Sequence, residues 1–115
     1  MAVSKLVDGK FYQASVDEGN LMTVANYLHY VVDVFREDEG LSIVFMEDIL
    51  EEMKELSIAD VRGPFAMVSV DSGLKAASSL EKEGIEMKAF SAYQRAYIFV
   101  PYDKKEDAMR VLEKL

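Results

Sequence analysis

The sequence predicts an α+β fold made of two βαββαβ units, in which antiparallel sheets are backed by helices on one side. Three observations predict it. Residues 65–115 read as strand, glycine turn, helix, strand, hairpin, strand and helix. Residues 10–61 repeat that order, and 115 residues are enough for one core or for two small units sharing one. We expect a first unit at residues 1–62 and a second at 63–115, with Gly63-Pro64 as a short hinge between abutting strands.

The first half can supply the full set of elements. Its predicted strands are KFYQASV (10–16), YVVDVFR (30–36), LSIVFM (41–46) and SIADV (57–61), and its predicted helices are 20–29 and 47–56. Gly40 closes the hairpin between the middle strands, where a turn needs an unusual backbone dihedral. The spacing of apolar residues places these side chains on the inner faces of the two helices: Leu21, Val24, Ala25, Leu28, Ile49, Leu50, Met53 and Leu56.

The second half shows the same periodicities. A helix over 73–83 places Leu74, Ala77 and Leu80 on one stripe, and Gly84 stands where a helix end favours positive φ. Residues 85–91 alternate as a half-buried strand, and a closing helix turns Ala108, Val111, Leu112 and Leu115 to one face. The strand 96–101 is apolar on both faces. Because the chain reaches Leu115 with no strand after the last helix, one sheet edge needs a borrowed strand or an apposed half.

The composition excludes several classes of function. The net charge is −8, and residues 1–62 carry all of it, since they hold 13 acidic and 5 basic side chains against 8 of each in residues 63–115. Such a surface repels phosphate backbones, so we expect neither nucleic acid nor an anionic membrane as a partner. The chain has no cysteine, no apolar run of membrane length and no leader segment, which favours a cytoplasmic protein.

Three stretches, in this order, resemble the ACT-domain family, and in particular the tandem-ACT proteins related to the cytosolic arginine sensors and their small uncharacterised bacterial relatives. EDEGLSIVF (37–45) resembles the family's acidic turn followed by a strand. VRGPFAMVSVDSGLKAASSLEKEGIEMKAFSAY (61–93) resembles its strand, glycine turn, helix and strand, and AYIFVPYDKKEDAMRVLEKL (96–115) resembles its ending. The resemblance implies ferredoxin-like βαββαβ ACT units that pair with one another and bind small ligands, usually amino acids, at their interface.

The resemblance also implies where a ligand would lie. It would face the strand-to-helix turn and the end of the following strand, whose residues are Val70, Asp71, Ser72, Gly73, Leu74, Ser91, Ala92, Tyr93 and Gln94. Relatives carry Asp where this chain has Ala96, and Thr where it has Ala92. If that Asp receives a ligand cation, the partner is missing here, so the same amino acid ligand cannot be assumed.

Each candidate residue also has a purely structural interpretation. A helix N-terminus with free N–H groups attracts carboxylates, but Asp71 or Ser72 can equally be a helix cap. Tyr93 can pack on a ligand or shield a hairpin, and Arg95 can bind an anion or be a solvated turn residue. His29, the only histidine, is better explained by packing at a helix end than by metal binding or catalysis.

No catalytic or cofactor signature is present in the sequence. One histidine gives no Ser-His-acid set, no phosphate loop or nucleotide fingerprint occurs, and the acidic run EDILEEMKE follows an outer helix face without a calcium loop. We therefore expect a regulatory protein that is not an enzyme, with no metal or cofactor, a small-molecule ligand and a homodimeric state suggested by Tyr97 and Phe99. The alternative is a ligand-free module that binds another protein.

Overall fold

The computed structural model describes residues 4–38, 40–91 and 95–115. The chain forms two compact units, which we call the first unit (residues 11–64) and the second unit (residues 4–10 and 65–115). The compact units divide after Pro64, and residues 4–10, which the sequence analysis placed in the first unit, belong to the second. Gly63 and Pro64 lie inside a strand, so the predicted hinge between two strands is wrong.

The first unit contains a three-stranded antiparallel sheet in the order β2-β3-β1. Its elements are β1 (Ser4–Val16, of which residues 11–16 belong to this unit), α1 (Leu21–Ala25), β2 (Val31–Glu37), β3 (Gly40–Met46) and α2 (Leu50–Leu56). Residues 41–45 of β3 are all buried, as expected for an unbroken apolar run in a sheet centre. The core joins the sheet to both helices through Ala14, Val16, Val24, Leu41, Ile43, Phe45, Ile49 and Met53.

Two predictions for the first unit are wrong. The helix expected at 20–29 is a single α-helical turn flanked by 3₁₀ turns, and Leu21 and Leu28 are exposed while Val24 alone is fully buried. The strand expected at 57–61 is reduced to one antiparallel bridge between Ser57 and Val16. In both segments the apolar residues fit a periodic pattern, but too few of their side chains are buried to stabilise a longer helix or strand.

The second unit has the strand order β1-β4-β6-β5. It contains β4 (Arg62–Val70, from residue 65 on), α3 (Gly73–Lys82), β5 (Lys88–Ser91), β6 (Ala96–Pro101) and α4 (Lys105–Leu112). Only residues 88–91 of the strand predicted at 85–91 are in the sheet. No strand follows α4 among the described residues, and β1, whose residues 4–10 lie in this unit, occupies the place beside β4. The expected borrowed strand is therefore found.

The core of the second unit packs α3 and α4 on one face of β4 and β6. Ile98, Val100 and Leu112 are at most 1% exposed. On α3 the buried positions are Ala76 and Leu80, whereas Leu74, expected on the inner stripe, is 84% exposed. The other face of β6 is also apolar, as predicted: Phe99 is buried and its ring meets that of Phe90 edge to face at 5.4 Å.

The end of α3 agrees with the prediction for Gly84. This residue has φ +72°, and its N–H donates to the carbonyl of Glu81 while the N–H of Ile85 donates to the carbonyl of Leu80. This is the hydrogen-bond pattern of a Schellman motif, in which glycine carries the left-handed conformation at lowest cost. The motif ends α3 and starts the segment that leads to β5.

The two units share a strand register and two local features. In the first unit six consecutive pairs run from Phe11–Met46 to Val16–Leu41, and in the second six run from Phe65–Pro101 to Val70–Ala96. The motif Ser-Val-Asp-x-Gly begins with the last two residues of β1 and of β4, at 15–19 and 69–73. A 3₁₀ turn leads directly into the last helix in both units. Positions in one unit can therefore be matched to positions in the other.

Membrane-spanning helices do not occur in the part of the chain that the structure describes, since none of its helices has the length and apolar character to cross a bilayer.

Tyr12 provides a pH-dependent contact in the first unit. Its hydroxyl donates to Oε2 of Glu47 at 3.2 Å. Burial, assisted by this hydrogen bond and by the negative charge of Glu47, raises the pKa of Tyr12 above its ordinary value. Because the folded pKa exceeds the unfolded value of about 10, this contribution to stability is complete below pH 10 and is lost as pH rises through the folded pKa.

We expect a spectrophotometric titration of the tyrosinate absorbance to include a late step above the ordinary pKa of tyrosine, and Tyr12→Phe to remove that late step. Glu47→Gln keeps the ring in place and should move the late step to lower pH, because the carboxylate charge is gone. A late step that survives in Tyr12→Phe would contradict the assignment.

Candidate functional site

The predicted ligand turn connects β4 to α3. β4 ends at Val70, which is 2% exposed and pairs with Ala96 of β6, and α3 begins at Gly73. Ser91, at the end of β5, also pairs with Ala96. One row across three adjacent strands therefore contains the backbones of Val70, Ala96 and Ser91. This row lies at the end of β4 from which the chain enters α3.

Ser72 is the N-cap of α3. Its Oγ accepts a hydrogen bond from the backbone N–H of Lys75 at 3.4 Å, and its carbonyl accepts from the N–H of Ala76 at 3.2 Å. Of the two residues considered for capping, Ser72 therefore takes this role and Asp71 does not. A cap of this type uses one of the donors at a helix N-terminus.

Asp71 forms an ion pair with Arg95. Nη1 of Arg95 donates to Oδ1 of Asp71 at 2.5 Å, and Nε donates to Oγ of Ser69 at 2.5 Å. The side chains of Arg95 and Asp71 are 32% and 41% exposed, and Ser69 is buried at 8%. Arg95 is therefore not the solvated turn residue that the sequence allowed. A fork of two donors on two acceptors holds its guanidinium against the turn.

Ser69 is a site residue that the sequence reasoning missed, and Arg95 was considered there only as an anion-binding or solvated residue, not as the partner of Asp71. The signal that could have found them is the strand pairing itself. In an antiparallel ladder the residue before Val70 and the residue before Ala96 lie diagonally across the Val70–Ala96 pair, within reach of a long side chain. The pairing register, rather than any local motif, brings them together.

Gly73 is required by packing inside the unit. A Cβ atom at this position would lie 2.8 Å from the Cβ of Ala96, closer than carbon atoms approach one another. The first turn of α3 thus lies directly on β6. Packing therefore explains the glycine at position 73 without the predicted close approach of a ligand. The same contact explains why a small residue occupies position 96.

The remaining predicted site residues divide into two groups. Leu74 stands on the first turn of α3 with its side chain in solvent. Ala92, Tyr93 and Gln94 lie outside the described residues, as does the side chain of Ser91. The structure therefore brings together residues 70–74, Arg95, Ala96 and the backbone of Ser91.

A groove of about 750 Å³ lies at the opposite end of α3 from this turn. It runs between the last turn of α3, the segment after it and α4, and its lining carries cations and carboxylates side by side, among them Lys82, Lys104, Glu83 and Glu86. The volume of this groove is no evidence that it belongs to the same site as the turn.

Within the described residues no group of three or more His, Asp or Glu side chains could hold a metal ion. His29 is exposed, and its ring meets that of Tyr30 edge to face at 5.1 Å.

The sequence of the second half matches a known domain. Residues 61–114 match the family model of the ACT domain. The matched segment contains β4, α3, β5, β6 and α4 with the turn at 70–74, and it coincides with two of the three stretches that carry the sequence resemblance. No curated protein matches the chain.

Solved structures extend the comparison to the whole chain. A Vibrio cholerae protein of unknown function, described as a possible transport protein, is 20% identical with a TM-score of 0.79, over 98% of this chain and 88% of that one. The regulatory subunit of aspartate kinase from Thermus flavus is 14% identical with a TM-score of 0.68, over 98% and 95%. Clostridium acetobutylicum aspartate kinase, an allosteric enzyme, is 13% identical with a TM-score of 0.70, over 96% and 33%. These similarities show an ACT-like α+β fold.

Proposed function

We propose that this protein is a cytoplasmic, non-catalytic regulatory protein that binds an amino acid or a related metabolite at the strand-to-helix turn of its second unit. The observation that carries the proposal is the match of residues 61–114 with the ACT domain, because the matched segment contains the turn at 70–74. ACT domains are in general regulatory domains that bind small molecules.

The geometry of the turn supports a ligand with a carboxylate. A helix N-terminus presents backbone N–H donors and a positive end of the helix dipole, both of which favour an anion. The Oγ of Ser72 caps one of these donors, the N–H of Lys75. Asp71 and Arg95 add one charge of each sign beside the turn.

We further propose that both halves are ACT units, assigned to residues 1–62 and 63–115, and that the ligand lies between the turn and an apposed unit or subunit of a homodimer. The matching registers of β1–β3 and β4–β6 support a duplicated unit. A ligand that bridges two units favours one arrangement of them over another, and this population shift would be the regulatory signal.

Leu74→Glu tests the location of the site. The side chain at 74 is exposed, and a carboxylate in the first turn of a helix is stabilised by the helix dipole, so the variant should fold as well as the wild type. The new charge should repel the ligand carboxylate and weaken binding at least about tenfold, which corresponds to roughly 1.4 kcal/mol. A bulky residue at 73 is unsuitable because it would collide with Ala96.

The measurement is a thermal-shift screen of the common amino acids, followed by calorimetric titration of each that shifts the wild type. Leu74→Gln is the matched control, since it has the size of glutamate without the charge, and it should keep most of the affinity. The proposal fails if no amino acid shifts the wild type, and the site assignment fails if Leu74→Glu binds as tightly as Leu74→Gln.

The second candidate function is a ligand-free module that binds another protein. Two observations favour it: alanine occupies positions 92 and 96, and Leu74 leaves an apolar side chain exposed beside the turn. Such a module would bind its partner equally well with and without amino acids. Affinity capture repeated with and without the screened amino acids separates the two, because a sensor's capture depends on its ligand.

A further inference from the structure

Arg95 places a guanidinium beside the turn of the second unit, at a position where the first unit has a glycine. The last pair of each six-pair ladder is Val16–Leu41 in the first unit and Val70–Ala96 in the second. The residue before Leu41 is Gly40, and the residue before Ala96 is Arg95, so the two positions correspond. A Cβ at Gly40 would lie 2.7 Å from the carbonyl oxygen of Val16, so no side chain fits there.

The charge acts directly on the turn. Asp71 is the only carboxylate in residues 70–74, and Arg95 contacts it and Ser69 in the same fork. A ligand cation that approached Asp71 would therefore meet a guanidinium already bound to that carboxylate. A ligand anion would be attracted by the same guanidinium, and the backbone N–H groups of the turn would add to this attraction.

We propose that Arg95 determines the charge of the ligand accepted at the turn, selecting amino acids with an anionic side chain and rejecting those with a second cation. The inference rests on the proposed function and narrows its ligand class. The mechanism is exclusion as much as attraction, because a like charge held in place by two hydrogen bonds cannot move aside without breaking them. Since the ion pair is about one-third exposed, salt should weaken the discrimination without removing it.

The test compares two probes that differ in the sign of the side-chain charge, L-glutamate and L-arginine, titrated into the wild type and into Arg95→Gln. We expect the wild type to bind glutamate about tenfold or more tightly than arginine, and Arg95→Gln to lower that ratio by at least about tenfold, because the guanidinium charge beside the turn is then removed. Arg95→Lys, which keeps the charge, should preserve the order of the two probes. Lys82→Gln removes one positive charge from the far end of α3 and should leave the ratio unchanged.

The ratio separates a specificity role from a structural one. If Arg95 only holds the turn in shape, Arg95→Gln lowers both affinities together and the ratio stays constant, which overturns the inference while leaving the proposed function intact. The same conclusion follows if the wild type binds other amino acids and Arg95→Gln shows no gain for arginine. If neither protein binds any amino acid of the full screen, the proposed function fails and this inference fails with it.

Discussion

Leu112→Ala is expected to lower the free energy of unfolding by about 2–5 kcal/mol. Leu112 is 1% exposed at the end of α4 and belongs to the core cluster that includes Val68, Leu80 and Ile98. Truncating it removes buried methyl groups and leaves a cavity that a close-packed interior fills only in part. In a domain of this size a loss of that order is a large part of the total stability.

The matched control is Leu74→Ala, the same substitution on the other helix of the same unit. Leu74 is 84% exposed, so its truncation should change stability by no more than about 0.5 kcal/mol. Urea denaturation monitored by circular dichroism should show a lower midpoint for Leu112→Ala with an unchanged slope. Equal midpoints for the two variants would mean that α4 does not pack on the sheet as described.

Gly73→Ala is expected to destabilise the protein by about 1–3 kcal/mol, although alanine is normally the better helix residue. The added methyl group would lie 2.8 Å from the Cβ of Ala96, so either α3 or β6 must shift. Gly19 occupies the matching place in the first unit and has nothing within 4 Å of an added Cβ, so Gly19→Ala should have little effect.

A double-mutant cycle with Ala96→Gly tests the contact itself. Ala96→Gly alone should also destabilise, because it removes a buried methyl group and frees the backbone of a strand. The double variant should be more stable than the sum of the two losses predicts, by at least about 1 kcal/mol, since the collision is gone. Additive losses would show that the two Cβ positions do not meet.

Periodicity predicted the elements whose burial depends on a long, regular pattern. The apolar runs of β3 and β6 and the inward positions Ala108 and Leu112 of α4 are found as expected. α3 shows the limit of the method. Its buried residues are Ala76 and Leu80, and alanine contributes little to an apolar pattern, so the larger Leu74 was assigned to the inner stripe although it lies on the solvent side.

The borrowed strand illustrates what local reasoning can and cannot supply. The sequence predicted that one sheet edge needs a borrowed strand or an apposed half, but it did not indicate that residues 4–10 lie beside β4. Their sequence contains the polar SKLVDGK, which carries no clear alternation. Which strand fills an open edge depends on the pairing of distant segments, and such pairing leaves no signal in a window of a few residues.

The strand-to-helix turn at 70–74 was predicted from the sequence, whereas the ion pair beside it was not. Glycine after a strand, followed by an amphipathic helix, identifies the turn at 70–74. The ion pair between Arg95 and Asp71 joins residues far apart in the chain, and its existence depends on the register that pairs Val70 with Ala96. A register one residue away would turn Arg95 to the other face of the sheet. The charge of the site is therefore a property of the fold rather than of a motif.

The most direct test of the account is a titration of the isotope-labelled wild type with the amino acid panel, followed in nitrogen–proton correlation spectra. The account predicts that an amino acid shifts the amide signals of residues 70–76, Arg95 and Ala96 at lower ligand concentration, and by more, than any other signals. Signals that move instead along the groove between α3 and α4, around Lys82 and Lys104, would place the ligand elsewhere and contradict the account. Spectra unchanged by every amino acid would contradict ligand binding itself.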